Sequence, residues 1–119
     1  MQEVLRIHEA VLRHGGSPGI RDRGALEAAI FRPQCGYYAD EIEEAAALLE
    51  SLASNHPFVD GNKRTALIAA ELFLNGCGWT IRVSESAGEA FFLGNMEKGR
   101  FRFPVIRDWL VSVVKQLPK

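Results

Sequence analysis

Residues 56–64 read His56-Pro57-Phe58-Val59-Asp60-Gly61-Asn62-Lys63-Arg64, and the segments on either side of this stretch set the fold. Upstream, Asp40 with Glu43 three residues on makes a capping-box-like start. Ile42, Ala45, Ala46, Leu49, Leu52 and Ala53 then recur along one face of a long helix. That helix ends near Asn55, because Pro57 disfavours helical geometry at His56. Downstream, Leu67, Ala70, Phe73 and Leu74 mark the inner face of a second helix, which Asn75-Gly76 ends. Two apolar-faced helices joined by a tight polar loop form the centre of a helical domain.

Working outward, Val4, His8, Val11 and Leu12 fall at helical spacing and Gly15-Gly16 supplies a stop. A turn through Ser17-Pro18-Gly19 follows. Asp22 caps a short helix with Leu26, Ala29 and Ile30 on its apolar face, ended before Pro33. Gln34 to Ala39 has no helical period and reads as a loop or a small hairpin flap. Trp79 to Val83 is extended, and Ser86 with Glu89 opens another short helix. Pro104 suits the first position of a last helix, with Ile106, Trp109, Leu110, Val113 and Leu117 on one face. The expectation is an all-α, compact bundle of about six helices forming a single domain over residues 1–119.

The chain's 119 residues are 47% hydrophobic and 24% charged, which excludes a disordered tail. A domain of this length buries roughly two thirds of its unfolded surface and needs no disulfide or metal staple. Glu3 and Arg6 interrupt any apolar leader, so Cys35 and Cys77 are expected as reduced cytosolic thiols. No apolar run is long enough to span a bilayer. A formal net charge of -1 provides no global field for a polyanion, so phosphate chemistry must come from a local cluster.

The loop at residues 56–64 is such a cluster. Unpaired amides and the positive dipole end at the start of the following helix favour an anion. Gly61 allows close backbone approach, and Asn62 either caps the helix or donates its amide to a phosphate oxygen. Lys63 and Arg64 sit at the wrong helix end for simple dipole complementarity, a conflict that a bound anion removes. Histidine is the one residue type in this stretch whose unperturbed pKa lies near neutrality, which suits His56 to the role of base toward an attacking hydroxyl. Asp60 is a hard oxygen ligand for magnesium, and Phe58 points inward to pin the loop. Base, metal ligand, anion hole and cationic clamp together are the parts for moving a phosphorus-containing group.

His56, Phe58, Asp60, Gly61, Asn62 and Arg64 also match every specified position of H-x-F-x-[DE]-[GA]-N-x-R, and the stretch resembles the active-site motif of the Fic/Doc superfamily. Gly19-Ile20-Arg21-Asp22, Leu26-Glu27-Ala28-Ala29 and Arg32-Pro33-Gln34 resemble the first half of death-on-curing (Doc) toxins. The resemblance implies His56 as base, Asp60 as Mg²⁺ ligand, Gly61 and Asn62 in the anion hole, and Lys63 and Arg64 on the phosphates of ATP. It further implies a kinase that transfers the terminal phosphate of ATP to a threonine of elongation factor Tu and stops translation. Superfamily members that transfer AMP usually carry a second glycine after the asparagine and a second arginine three residues after the first. This chain has Lys63 and Leu67 there, as Doc-type members do. No match to the self-inhibitory pattern [ST]-x-x-x-E-[GN] occurs, so inhibition is expected from a Phd-like antitoxin whose disordered tail folds into a groove. The implied setting is cytoplasmic, for a protein of bacterial or phage origin, with no direct nucleic-acid or membrane partner. AMP transfer to a protein hydroxyl and a catalytically silent nucleotide- or partner-binding module are the alternatives.

Other features read as ordinary. His8 and His14, six residues apart, face different ways on a helix and are expected to be solvated or half-buried, with no role. Arg100-Phe101-Arg102-Phe103 reads as a loop with buried Phe and solvated Arg. Leu67 is expected in the core, and the two cysteines as inert small hydrophobes.

Overall fold

The computed structural model describes every residue except His14, Cys35, Tyr37 and Lys119. Helices α3 (Glu41–Ser54) and α4 (Asn62–Gly76) pack on each other along the middle of the molecule. Ala45, Ala46, Ala53, Ala66 and Ala70 are fully buried. Side chains this small let two helix backbones approach closely, while Leu49, Leu52 and Leu74 fill the space beside them. The start of α3 is fixed as its sequence indicates: Asp40 Oδ1 accepts from the Glu43 amide at 2.9 Å. Glu43 Oε1 reaches back to the Ala39 amide at 3.2 Å, one residue further than a standard capping box.

The other elements wrap this pair. Helix α1 (Gln2–Leu12) lies on α4, and α2 (Arg23–Phe31), capped by Asp22 Oδ1 on the Ala25 amide, lies on α3. A 3-10 turn at Arg32–Gln34 follows α2. The expected flap at 34–39 includes Cys35 and Tyr37, which lie outside the described residues; no strand occurs among the others of that segment. Helix α6 (Phe103–Val113) packs on α3 through Ile106 and Leu110, both fully buried. Helix α5 (Glu85–Glu97) meets α6 through Phe91, whose ring stacks on Trp109 with centroids 4.2 Å apart. Among the described residues the chain is an all-α bundle of six α-helices, as the periodicity indicates.

Three details differ from the sequence reading. Helix α5 starts earlier, because Ser84 rather than Ser86 is its cap, accepting from the Ala87 amide at 3.1 Å. The last helix stops at Val113 instead of running to Leu117. Strand β2 (Val114–Gln116) pairs antiparallel with β1 (Trp79–Ile81), aligning Ile81 with Val114. The β-branched Val113-Val114 pair favours extended backbone, and β1 offers an edge whose amides and carbonyls need partners. Leu67 is half-buried rather than in the core and borders a groove between α4 and α5. Among the described residues no helix is long and apolar enough to cross a membrane.

Candidate functional site

The loop from α3 to α4 is held on two sides. On one side the segment Gly19–Asp22 runs antiparallel to it. The Val59 amide donates to the Gly19 carbonyl at 3.0 Å, and the Arg21 and Asp22 amides both donate to the Pro57 carbonyl, at 2.8 and 3.0 Å. The Arg21 guanidinium adds bonds to the His56 and Asn55 carbonyls. On the inner side, Phe58 is 1% exposed and lies under the His8 ring. His8 Nε2 meets the Asp60 carbonyl at 2.8 Å. The expectation that His8 is solvated or half-buried is therefore corrected: it is buried, because it shares the apolar face of α1 with Val4 and Val11. His14 lies outside the described residues.

Each sequence-derived site residue has a definite place. Gly61 occupies the cap position of α4 at φ +77°, in the left-handed region that glycine enters without penalty. A Cβ there would sit 3.1 Å from Val11 Cγ1, so the site also requires the missing side chain. Asn62 is the first helical residue rather than the cap. Its buried side chain accepts from the Phe58 amide and donates to the Phe58 carbonyl, each at 3.0 Å, and so ties the loop into a closed turn. The exposed Asp60 carboxylate accepts from the Gly61 amide at 2.8 Å and from the Ser17 amide at 3.2 Å. Lys63 and Arg64 are exposed and border a groove of about 940 Å³ with Val11, Leu67, Ile68 and Phe92. His56 is exposed on a separate cleft of about 510 Å³, with Arg32, Glu50 and Arg102 among its walls. Lys63 and Arg64 thus share one depression, and His56 opens onto another.

The His56 cleft contains a charge network that sequence reasoning missed. Arg32 donates through Nη1 to Glu50 Oε1 at 2.6 Å and to Ser51 Oγ at 2.9 Å, and through Nε to the Tyr38 hydroxyl at 2.6 Å. Glu50 Oε2 accepts from the Phe103 amide at 2.8 Å, joining α3 to the start of α6. Burial opposes the Arg32 charge, but the hydrogen bonds and attraction of Glu50 and Tyr38 outweigh it and raise the guanidinium pKa. No contiguous stretch of sequence marks this network; its partners come from α3, from the start of α6 and from Tyr38 in the connection before α3. In the nearby Arg100–Phe103 run, Phe101 is buried and both arginines are exposed, as expected, whereas Phe103 is half-buried and is the first residue of α6 rather than part of a loop.

No group of three or more His, Cys, Asp or Glu side chains converges for a metal among the described residues. Asp60 offers a single carboxylate. A single hard carboxylate could hold a magnesium ion only as one donor among others, and does not make an all-protein cage.

A helical bundle with this loop between its two central helices defines a class. Residues 1–74 match the model of the Fic/DOC family, and the chain belongs to that family. The matched span takes in α1 to α3, the whole loop and α4 as far as Leu74, whereas α5, α6 and the small sheet lie beyond it. The chain is 52% identical over 66 residues to "Toxin Doc" of Mycolicibacterium smegmatis (strain ATCC 700084 / mc(2)155), a match covering 51% of each chain. It is 43% identical over 82 residues to "Protein kinase doc" of Escherichia phage P1, covering 65% of each. It therefore spans about half the length of the first relative and 65% of the second.

Proposed function

We propose that this chain is a Doc-type toxin that transfers the terminal phosphate of ATP to a hydroxyl of a translation protein similar to elongation factor Tu. The observation that carries the reading is the loop itself: strapped from outside, pinned from inside, and ending at a helix start that carries Lys63 and Arg64. A relative named as a protein kinase supports phosphate transfer. In this reading the triphosphate lies over the first turn of α4, where amides, dipole and both cations favour it. The acceptor hydroxyl enters from the cleft where His56 stands and gives up its proton to the imidazole. Asp60 would hold a magnesium ion, which neutralises phosphate charge when bound. Lys63, with its bulk and charge in the place of a glycine, sets the triphosphate so that its γ-phosphorus faces the hydroxyl.

The groove between α1, α4 and α5 receives the helix of a Phd-like antitoxin. Its floor is apolar, with Leu67, Ile68 and Leu93, and its rim carries Lys63 and Arg64 from α4 and Glu85 and Glu89 from α5, so an amphipathic helix bearing both charge signs suits it. Incubation with ATP and the translation protein, followed by mass spectrometry, tests the transfer. An added phosphate is the expected result. An added adenylate would replace the kinase by an AMP transferase, and His56→Ala should add neither. Equal growth arrest by wild type and His56→Ala would leave only a binding module.

A further inference from the structure

We propose that Arg21 is a positioning residue for His56, whose backbone it clamps from both sides. The proposal rests on the reading of His56 as the base. His56 has φ +47°, the one positive φ outside glycine among the described residues. It also stands directly before Pro57, whose ring drives the preceding residue toward extended geometry. A side chain-bearing residue persists in the left-handed region only where its surroundings over-determine it.

Arg21 supplies that determination. Its Nε donates to the His56 carbonyl at 2.6 Å and its Nη2 to the Asn55 carbonyl at 2.8 Å. Those carbonyls belong to the two peptide units flanking the His56 α-carbon. Rotation about φ moves one against the fork, and rotation about ψ moves the other. A planar guanidinium bonded to both therefore fixes both dihedrals, and with them the direction in which the imidazole leaves the chain. The Arg21 and Asp22 amides hold the next carbonyl, that of Pro57, so the strap cannot slide along the loop. The cation also lies at the carboxyl end of α3, where the dipole favours it. An ammonium at the same place keeps the charge but lacks the fixed fork. Arg21 meets only backbone here, and acts through His56.

Arg21→Lys separates positioning from plain support of α3, with Arg21→Gln as a second variant should the first fold poorly. The His56 Cα and Cβ chemical shifts report its backbone region without any need for activity. They should move from left-handed values in the wild type toward extended ones in Arg21→Lys. With ATP and the protein acceptor, kcat should fall by about 10- to 100-fold with KM for ATP unchanged and the thermal midpoint close to wild type. Unchanged His56 shifts would overturn the clamp. Altered shifts with wild-type kcat would overturn its role in catalysis. A wild-type chain that transfers no phosphate at all would remove the kinase reading alone, since the shifts still decide whether Arg21 holds His56.

Discussion

The His8 imidazole lies flat on the Phe58 ring, 3.8 Å between centroids and 9° from parallel. Its Nε2 meets the Asp60 carbonyl, which only accepts, so Nε2 is the nitrogen that carries the proton. One side chain thus holds the loop through both a ring and a hydrogen bond. His8→Phe keeps the stack and leaves the carbonyl unmatched, and should cost about 1 kcal/mol in urea unfolding. His8→Ala loses both contacts and leaves a cavity, and should cost about 2–4 kcal/mol. A double-mutant cycle with Phe58→Ala should give a coupling of about 1 kcal/mol, and additivity would show the two rings to be independent.

Gly61→Ala meets two obstacles at once. Its backbone has φ +77°, and the added methyl carbon would sit 3.1 Å from Val11 Cγ1 and 3.7 Å from His8 Cδ2. Left-handed geometry for alanine and the crowding together should cost about 1–3 kcal/mol, read as a lower denaturation midpoint at unchanged m-value. Val11→Ala introduced beside it should recover the part due to crowding and leave the part due to φ.

The central helices and their caps were legible because the signals are local. Apolar residues repeat every third or fourth position in α3 and α4, and Asp22 and Asp40 stand where a helix needs its amides met. The motif likewise marked the loop, since its residues are contiguous. What stayed hidden was set by distant partners. Val113 and Leu117 continue the helical repeat, yet β1 draws the chain into a strand at Val114. His8 was visible as part of an apolar face, but its bond to Asp60 spans 52 positions. The fork of Arg21 on Asn55 and His56 has no sequence signature at all. Neither does the opening of His56 and of Lys63 onto different depressions, which depends on where α1, α5 and α6 lie.

Cys77, expected as an inert small hydrophobe, is instead exposed at the end of α4. Partial desolvation of its thiol, and then the negative charges of Glu41 and Glu44, raise its pKa above the ordinary thiol value. In a Cys35→Ser background its alkylation by iodoacetamide at neutral pH should be slower than that of the unfolded chain, with the rate rising at higher pH. Glu41→Gln with Glu44→Gln should bring the profile part of the way back, because partial desolvation is the larger cause. The folded pKa lies above the unfolded one, so the contribution to stability is complete below the unfolded value. It is lost as the pH rises through the folded one. An alkylation profile identical to that of the unfolded chain would contradict this account.

Lys63 and Arg64 stand in the first turn of α4, where the dipole repels cations. Replacing Lys63 by Gln should therefore stabilise the nucleotide-free protein by a few tenths up to about 1 kcal/mol at low salt. In the kinase reading the same change should raise KM for ATP by about tenfold, since one charge-assisted contact to phosphate is lost. Arg64→Gln should behave in the same way, and the affinity of either variant should depend less on salt than that of wild type. Opposite signs for stability and affinity are the mark of a charge placed for a ligand rather than for the fold. A solvated helix start would give neither effect on ATP, and a cation used for packing would lower stability instead. Calorimetric titration of ATP beside thermal melts of the same samples separates these cases.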